Sequence, residues 1–200
     1  MRWQALYGGV YGQYCTRIYG SYLFHSVPYY RVAKNQVETV EYNKLGTQAS
    51  AGCIRLAVVD AKWIYDNCGL GTRVVIGESR NLQKPTRDKI KISTARRSGW
   101  DPTDPDPANP YYPKFKLKKS APRKLEYGSK VNKKKLKKWM KVSSPVTSGS
   151  VLQKYIKVKG KVNTSKPGKY KVTYTVTDPR TLLTKSIKVT FTVKKQTQEP

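Results

Sequence analysis

The chain carries one histidine, three cysteines and two methionines in 200 residues. One histidine and three scattered cysteines cannot assemble the ligand spacing of the usual metal sites. An odd cysteine count does not make a disulfide framework; Cys15 and Cys68 are able to pair, but nothing in their spacing requires it. No stretch approaches the ~20 apolar residues of a membrane span. The opening residues, MRWQALYGG, lack the apolar run of a signal peptide. Neither a phosphate loop nor a dinucleotide fingerprint is present. No cofactor is expected.

Acidic residues are also scarce. Asp and Glu number 12 against 40 Lys and Arg, which leaves a net charge of +28. The imbalance is uneven. Residues 1–111 hold 15 basic and 9 acidic residues, whereas residues 112–200 hold 25 and 3. The C-terminal half therefore expects an anionic partner or surroundings. Nucleic acid, anionic membrane and anionic cell-wall polymer all satisfy that charge.

Composition separates three regions. Residues 1–95 are mixed and rich in aromatics. Residues 96–122 contain WDPTDPDPANPYYP, where prolines remove donors and fix φ, so a linker or surface-hugging segment is expected. Residues 123–196 are rich in Lys, Thr, Val and Tyr. The Asp cluster DPTDPD (101–106) invites a calcium reading, but it lacks the loop glycine and distal Glu of such a site. An acidic turn segment fits it better.

In the first region, YCTRIYGSYLFHSV reads as strand, turn and strand, with Gly20 at the turn. GTRVVIG (71–77) reads as a strand bounded by glycines. VVDAKWIYDNCG reads as a short helix, with Asp60 as N-cap and Gly69 past the C-terminus. In the third region, Tyr170, Val172, Tyr174 and Val176 share one face, and Lys171, Thr173, Thr175 and Thr177 the other. Ile187, Val189, Phe191 and Val193 repeat the pattern. This alternation, with a Pro167-Gly168 turn, predicts a small antiparallel sandwich. VNKKKLKKWMKV (131–142) places Leu136, Trp139 and Met140 at helical spacing among lysines. That is either a basic amphipathic segment for an anionic surface or a core contribution with solvated lysines; the core reading is preferred. No nucleic-acid fold motif is present, and no aromatic platform is interleaved with Arg.

ASAGCIRL (49–56) is the stretch that suggests chemistry. A nucleophilic cysteine needs a base or positive field to give a thiolate. With one histidine in the chain, a Cys–His pair must be Cys53–His25. Glycine at 52 lets a substrate approach the backbone, and the amides of Gly52 and Cys53 are placed to meet a developing oxyanion. On spacing alone, a buried thiol and an unrelated imidazole are the commoner outcome.

The run GQYCTRIYGSYLFHSVPY, followed by EYNKLGTQASAGCIRLAVVDAKWIYDNCGLGTRVVI, resembles the L,D-transpeptidase catalytic domain of bacterial cell-wall enzymes. That family's motif is a His, a spacer, then Ser/Thr-His-Gly-Cys, an apolar residue and Asn or Arg. Its matches here are His25, Ser50, Gly52, Cys53, Ile54 and Arg55. The likeness spans about residues 3–77 and continues through WDPTDPDPANPYY. The stretch LEYGS…KVNTSKPGKYKVTYTVTD resembles a bacterial immunoglobulin-like module.

The resemblance implies a mainly β protein: an L,D-transpeptidase-type β-sandwich with a short helix after the Cys loop, then a small immunoglobulin-like antiparallel β-sandwich. It implies that Cys53 is the nucleophile toward peptidoglycan stem peptides, with His25 as general base. The backbone carbonyl of Ser26 would orient His25, and the Gly52 amide would serve the oxyanion hole. Ser50, Arg55 and Tyr14 would contact substrate, though an ion pair is an equally good role for Arg55. A cell-wall or extracellular location, cell-wall biogenesis and maintenance of cell shape follow from the same likeness.

Two departures stand out. The motif histidine is Ala51 here, which predicts activity lowered by about 10²–10⁴-fold, the scale of a lost acid–base or positioning group. The chain also begins late relative to the family, so the first strands and part of the donor pocket are expected to be missing. The alternative is a non-catalytic protein that binds cell wall or anionic polymer. A weaker third reading is a general polyanion binder.

Overall fold

The computed structural model describes residues 2–77 and 87–195. The protein is mainly β and divides into two units, Met1–Pro110 and Tyr111–Pro200. Among the described residues, no helix is long and apolar enough to cross a membrane.

In the first unit, β1 (Trp3–Leu6) and β2 (Val10–Gln13) form an antiparallel hairpin. β3 (Thr16–Tyr19) and β4 (Tyr22–Ser26) form a second, turning as expected at Gly20, whose φ is +51°. β4 then takes β6 (Ile54–Leu56) as a parallel neighbour. Parallel strands cannot be joined by a tight turn and need a crossover. The intervening chain supplies it with β5 (Val37–Glu38) and the short helix α1 (Thr39–Asn43). This crossover returns the ASAGC loop to the side of β4. A helix, α2 (Val58–Asn67), follows, and β7 (Ser98–Gly99) pairs with β5. Val27, Tyr29, Val37, Val58 and Ala61 are fully buried beneath these elements. Tyr29 bridges Tyr11 on one side and Val37 on the other, and its ring meets Trp3 edge-on at 5.1 Å.

Several local expectations change in the tertiary structure. Asp60 is not the N-cap of α2: the helix starts at Val58 after Ala57, which places Asp60 in the first turn, where it pairs with Arg87. The cap comes from far along the chain. Asp101 Oδ2 accepts from Val58 N–H at 2.9 Å, and Thr103 Oγ1 accepts from Val59 N–H at 3.1 Å. Gly69 follows the C-cap Cys68 as expected, without a positive φ. GTRVVIG forms no strand; Val75 and Ile76 are exposed, and no described strand pairs with them, so β propensity has no ladder to join. Cys15 and Cys68 form no disulfide.

The expected 96–122 linker is not one segment. Its first part folds onto the first unit, with Asp101, Thr103, Asp104 and Asn109 buried. Prolines there do not loosen the chain, because Asp side chains supply local turn acceptors instead: Asp101 to Thr103, Asp104 to Asp106 and Asp106 to Ala108. Its last part begins the second unit. Residues 78–86 of the expected first domain and residue 196 of the expected third region lie outside the described residues.

The second unit holds β8 (Lys114–Leu117), β9 (Lys124–Leu125), α3 (Lys133–Lys138), β10 (Met140–Ser143), α4 (Gly149–Lys154), β11 (Ile156–Lys159), β12 (Gly168–Thr177) and β13 (Thr184–Val193). β8 pairs with β10, and the larger sheet runs β11-β12-β13-β9. All pairs are antiparallel as expected, except β13 with β9, which is parallel. The predicted inner face of β12 and β13 packs into a core with Phe115, Met140 and Val142 from the smaller sheet. Leu136 and Met140 join that core, and the Trp139 ring lies 5.5 Å from Phe191. The 131–142 stretch is thus a short capped helix followed by a strand, not a free amphipathic helix. Asn132 caps α3 through Lys135 N–H at 2.8 Å.

Candidate active site

Cys53 lies one residue before β6. The parallel register sets Phe24 opposite Ile54 and His25 opposite Arg55, so the only histidine and the cysteine loop meet at one sheet position. His25 and Cys53 line one cleft of about 400 Å³, together with Tyr22, Ala51 and Leu6. A second cleft of about 520 Å³, running along Lys44–Gln48, shares Ser50, Cys53 and Arg55 with the first. The thiol is half-buried, with its Sγ 3.9 Å from the carbonyl oxygen of Ser21.

His25 is 2% exposed, and its Nδ1 lies 2.5 Å from the carbonyl oxygen of Ser26. A carbonyl only accepts, so Nδ1 carries the proton and Nε2 keeps its lone pair. Burial holds the imidazole below its ordinary pKa; the Ser26 bond raises it, and the Arg55 charge lowers it further. The ring is therefore a neutral base near neutral pH. Ser26 is itself anchored: its Oγ donates to Val27 O at 2.9 Å and accepts from Gln13 N–H at 2.8 Å.

Beneath His25 the packing is close. A methyl at Gly12 would come within 2.9 Å of Cys15 Sγ and 3.2 Å of His25 Cβ, so only glycine fits without displacing them. Burial pushes the Cys15 thiol up to about 11, which leaves it a protonated core group. Gln13 extends a buried polar chain from there, donating to the Tyr29 hydroxyl at 2.9 Å and to Asp104 Oδ2 at 3.1 Å. Asp104 meets Lys34 at 3.3 Å. The Asp/Pro segment thereby braces β2, whose Gln13 N–H in turn holds Ser26 beside His25.

The cysteine loop is closed by its own serine. Ser50 Oγ donates to Cys53 O at 2.5 Å and accepts from Gly52 N–H at 3.3 Å. Gly52 has φ +129°, and a Cβ there would stand 2.3 Å from the Tyr22 ring. Glycine is required both for the backbone and for the aromatic lying over it. Arg55 forms an ion pair with Glu41 at 2.5 Å, and Glu41 also holds Lys44 at 2.6 Å. Arg55 thus forms an ion pair while it also lines both clefts.

The structure thus brings together His25, Ser26, Ser50, Gly52, Cys53 and Arg55. Tyr14 is elsewhere. It is buried, has φ +52°, and packs edge-on against Tyr65 at 5.7 Å, lining a separate open cleft with Lys62 and Asp106. Its place as a substrate contact is not supported by that position. Tyr22 and Gly12 are the site residues that sequence reasoning missed. Tyr22 opens β4 and Gly12 lies within β2, and membership of a strand says nothing of the ring over Gly52.

A β-domain with a histidine on one strand and a cysteine loop beside it precedes an immunoglobulin-like sandwich. Residues 2–76 match the L,D-transpeptidase catalytic domain, and residues 115–194 match the Ig-like domain of bacterial surface proteins. The chain is also similar to "Putative L,D-transpeptidase YciB" of Bacillus subtilis (strain 168), at 54% identity over 59 residues. That stretch is 29% of this chain and 29% of the relative, so the match spans under a third of its length.

Proposed function

We propose that this chain is a peptidoglycan L,D-transpeptidase of the bacterial cell wall. The observation that carries the reading is the His25 geometry: Nδ1–H held by Ser26 O at 2.5 Å leaves Nε2 as the acceptor of a ring that lines the same cleft as Cys53.

Nε2 takes the Cys53 proton, and Sγ attacks the carbonyl between the third and fourth residues of a stem peptide. The tetrahedral oxyanion is met by the amides of the Gly52–Cys53 turn. The Gly52 amide is held by Ser50 Oγ at the long end of hydrogen bonding, 3.3 Å, and the oxyanion competes for it. Collapse breaks the peptide bond, and the imidazolium proton leaves with the amine of D-alanine. An amine of a second stem then attacks the thioester, gives its proton to Nε2 and restores the thiol, forming a 3→3 cross-link. The two clefts that share Cys53 suit a site that receives two peptides. Such an enzyme works in the cell wall, outside the membrane.

The test is intact-protein mass after incubation with a carbapenem, beside Cys53→Ala. An adduct that is lost in the variant supports a competent nucleophile and oxyanion site. Unmodified protein that is folded by circular dichroism sinks the reading. It would leave the alternative, a non-catalytic wall-binding protein, which Ala51 at the motif histidine position favours.

A further inference from the structure

The outer face of the larger sheet in the second unit has no role in the chemistry above. Strand periodicity puts Tyr170, Val172, Tyr174 and Val176 inside, so the alternate residues of β12 face out. The register then assembles a lattice. Lys169 lies opposite Thr192, Lys171 opposite Thr190, Thr173 opposite Lys188, and Thr175 opposite Ser186. β11 adds Lys157 opposite Thr175 and Lys159 opposite Thr173; β9 adds Lys124 opposite Thr192. These lysines are all exposed.

Hydroxyls fill the spaces between them. Thr175 and Ser186 bond across the strands at 2.8 Å, as do Thr177 and Thr184. The four strands themselves hold no acidic residue; Glu126, next after β9, is held by Lys194 at 2.5 Å, and Asp178, next after β12, is buried and bonded by Thr147. Six ammonium groups on a paired sheet face without a carboxylate among them repel one another. Successive outward positions along a strand are about 6.8 Å apart, within a Debye length of each other. A face of this kind is stabilised by a multivalent anion lying across it.

The chemistry narrows the anion. The lattice has no Arg for bidentate base reading and no aromatic for base stacking, which disfavours nucleic acid. It has no exposed apolar side chain to enter a lipid interface, which disfavours a membrane. Lysine ammonium groups with hydroxyls between them suit repeated phosphates on a sugar or polyol chain. We propose that the outer face of β11-β12-β13-β9 binds a linear polyol-phosphate polymer of the cell wall. The binding is independent of the Cys53 chemistry.

The experiment uses the full chain and synthetic poly(glycerol phosphate) as probe, with affinity measured across a salt series. One variant changes Lys157, Lys159, Lys169, Lys171 and Lys188 to Gln. A control of equal charge changes Lys119, Lys133, Lys134, Lys137 and Lys138 to Gln. The face variant should bind about 100-fold more weakly and lose about 3.5 from its log–log salt slope, at ~0.7 per phosphate contact. The control should stay within about threefold, because its lysines lie off the lattice. Equal loss in both variants would overturn the assignment, since it would mean diffuse charge. So would tighter binding by the wild type to duplex DNA or phosphatidylglycerol vesicles than to the polymer. Thr173→Glu places one carboxylate beside Lys159 and Lys188 while leaving every lysine in place. It should weaken binding about tenfold, and unchanged binding in this variant also counts against the proposal.

Discussion

Asp101 and Val58 are 43 residues apart, and the carboxylate of one caps the helix that begins at the other. Asp101 Oδ2 accepts from Val58 N–H at 2.9 Å, while Oδ1 accepts from Thr103 N–H at 2.7 Å and from Thr103 Oγ1 at 2.6 Å. Thr103 passes the cap on to Val59. The helix behind the cysteine loop is therefore started by the Asp/Pro segment. A carboxylate at this end also meets the positive end of the helix dipole.

Replacing that carboxylate should unfasten the first unit. Asp101→Ala leaves the Val58 and Thr103 donors buried without their acceptor, at a cost of about 2–3 kcal/mol. Burial pushes Asp101 up to about 6 from 3.8, against the hydrogen bonds that lower it. The native state thus holds this proton more tightly than the unfolded chain does. Its contribution is fully present below about 4 and is lost as pH rises through about 6. Urea unfolding of wild type and variant should show their stability difference shrinking over that window. A difference independent of pH would show that Asp101 does not titrate there.

The acid limb of the reaction should follow His25. Its imidazole is held below the ordinary histidine value by burial, so carbapenem acylation should persist somewhat below pH 6.5 before protonation removes the base. Arg55→Gln takes away a charge that lowers His25 and leaves Glu41 in place. The acid limb should then move up. The same group works on stability in the same direction: an imidazole harder to protonate in the native state costs stability as pH falls. An unmoved limb in Arg55→Gln would place the titrating group elsewhere.

Gly52→Ala should slow acylation by about 10²-fold, the scale of an ångström's misplacement at a reacting centre. The new Cβ would stand 2.3 Å from the Tyr22 ring, and φ +129° is hostile to any side chain. Adding Tyr22→Ala should recover only the steric share. Full recovery in the double variant would mean that the backbone angle carries no cost.

Ala51→His should raise the acylation rate by about 10²–10⁴-fold, because Ala51 lines the cleft of Cys53 and His25 and a second imidazole would stand beside the thiol. Equal rates for the two proteins would mean that position 51 does not limit this chemistry.

The parts of the molecule legible beforehand were those governed by near neighbours. The β12–β13 pair follows from strict alternation over ten residues each, and the turn at Gly20 from glycine between two β-rich runs. Cys53 and His25 were legible as a pair through the resemblance of ASAGCIRL and the strand before it to the L,D-transpeptidase motif; the single histidine fixed only which imidazole was available. What misled was local chemistry outbid from a distance. Asp60 had the character of a cap, but Asp101 and Thr103 took the role. GTRVVIG had strand character, but a strand needs a neighbour with free ladder groups. WDPTDPDPANP had linker composition, yet its carboxylates found backbone donors, and those of Asp101 and Asp104 became buried.

The sequence by itself determined the two-part layout, the basic second unit, the sandwich faces and the identities at the cysteine loop, because periodicity and residue chemistry act over a few residues. Only the tertiary structure decided that His25 stands opposite Arg55 and shares a cleft with Cys53, that Tyr22 covers Gly52, that Tyr14 lies away from the cleft, and that the outward lysines of four strands form one lattice. Those relationships depend on the parallel register of β4 with β6 and the pairings of β11, β12 and β13. Such registers are set by burial and backbone pairing summed over the whole unit, which no short stretch of chain encodes.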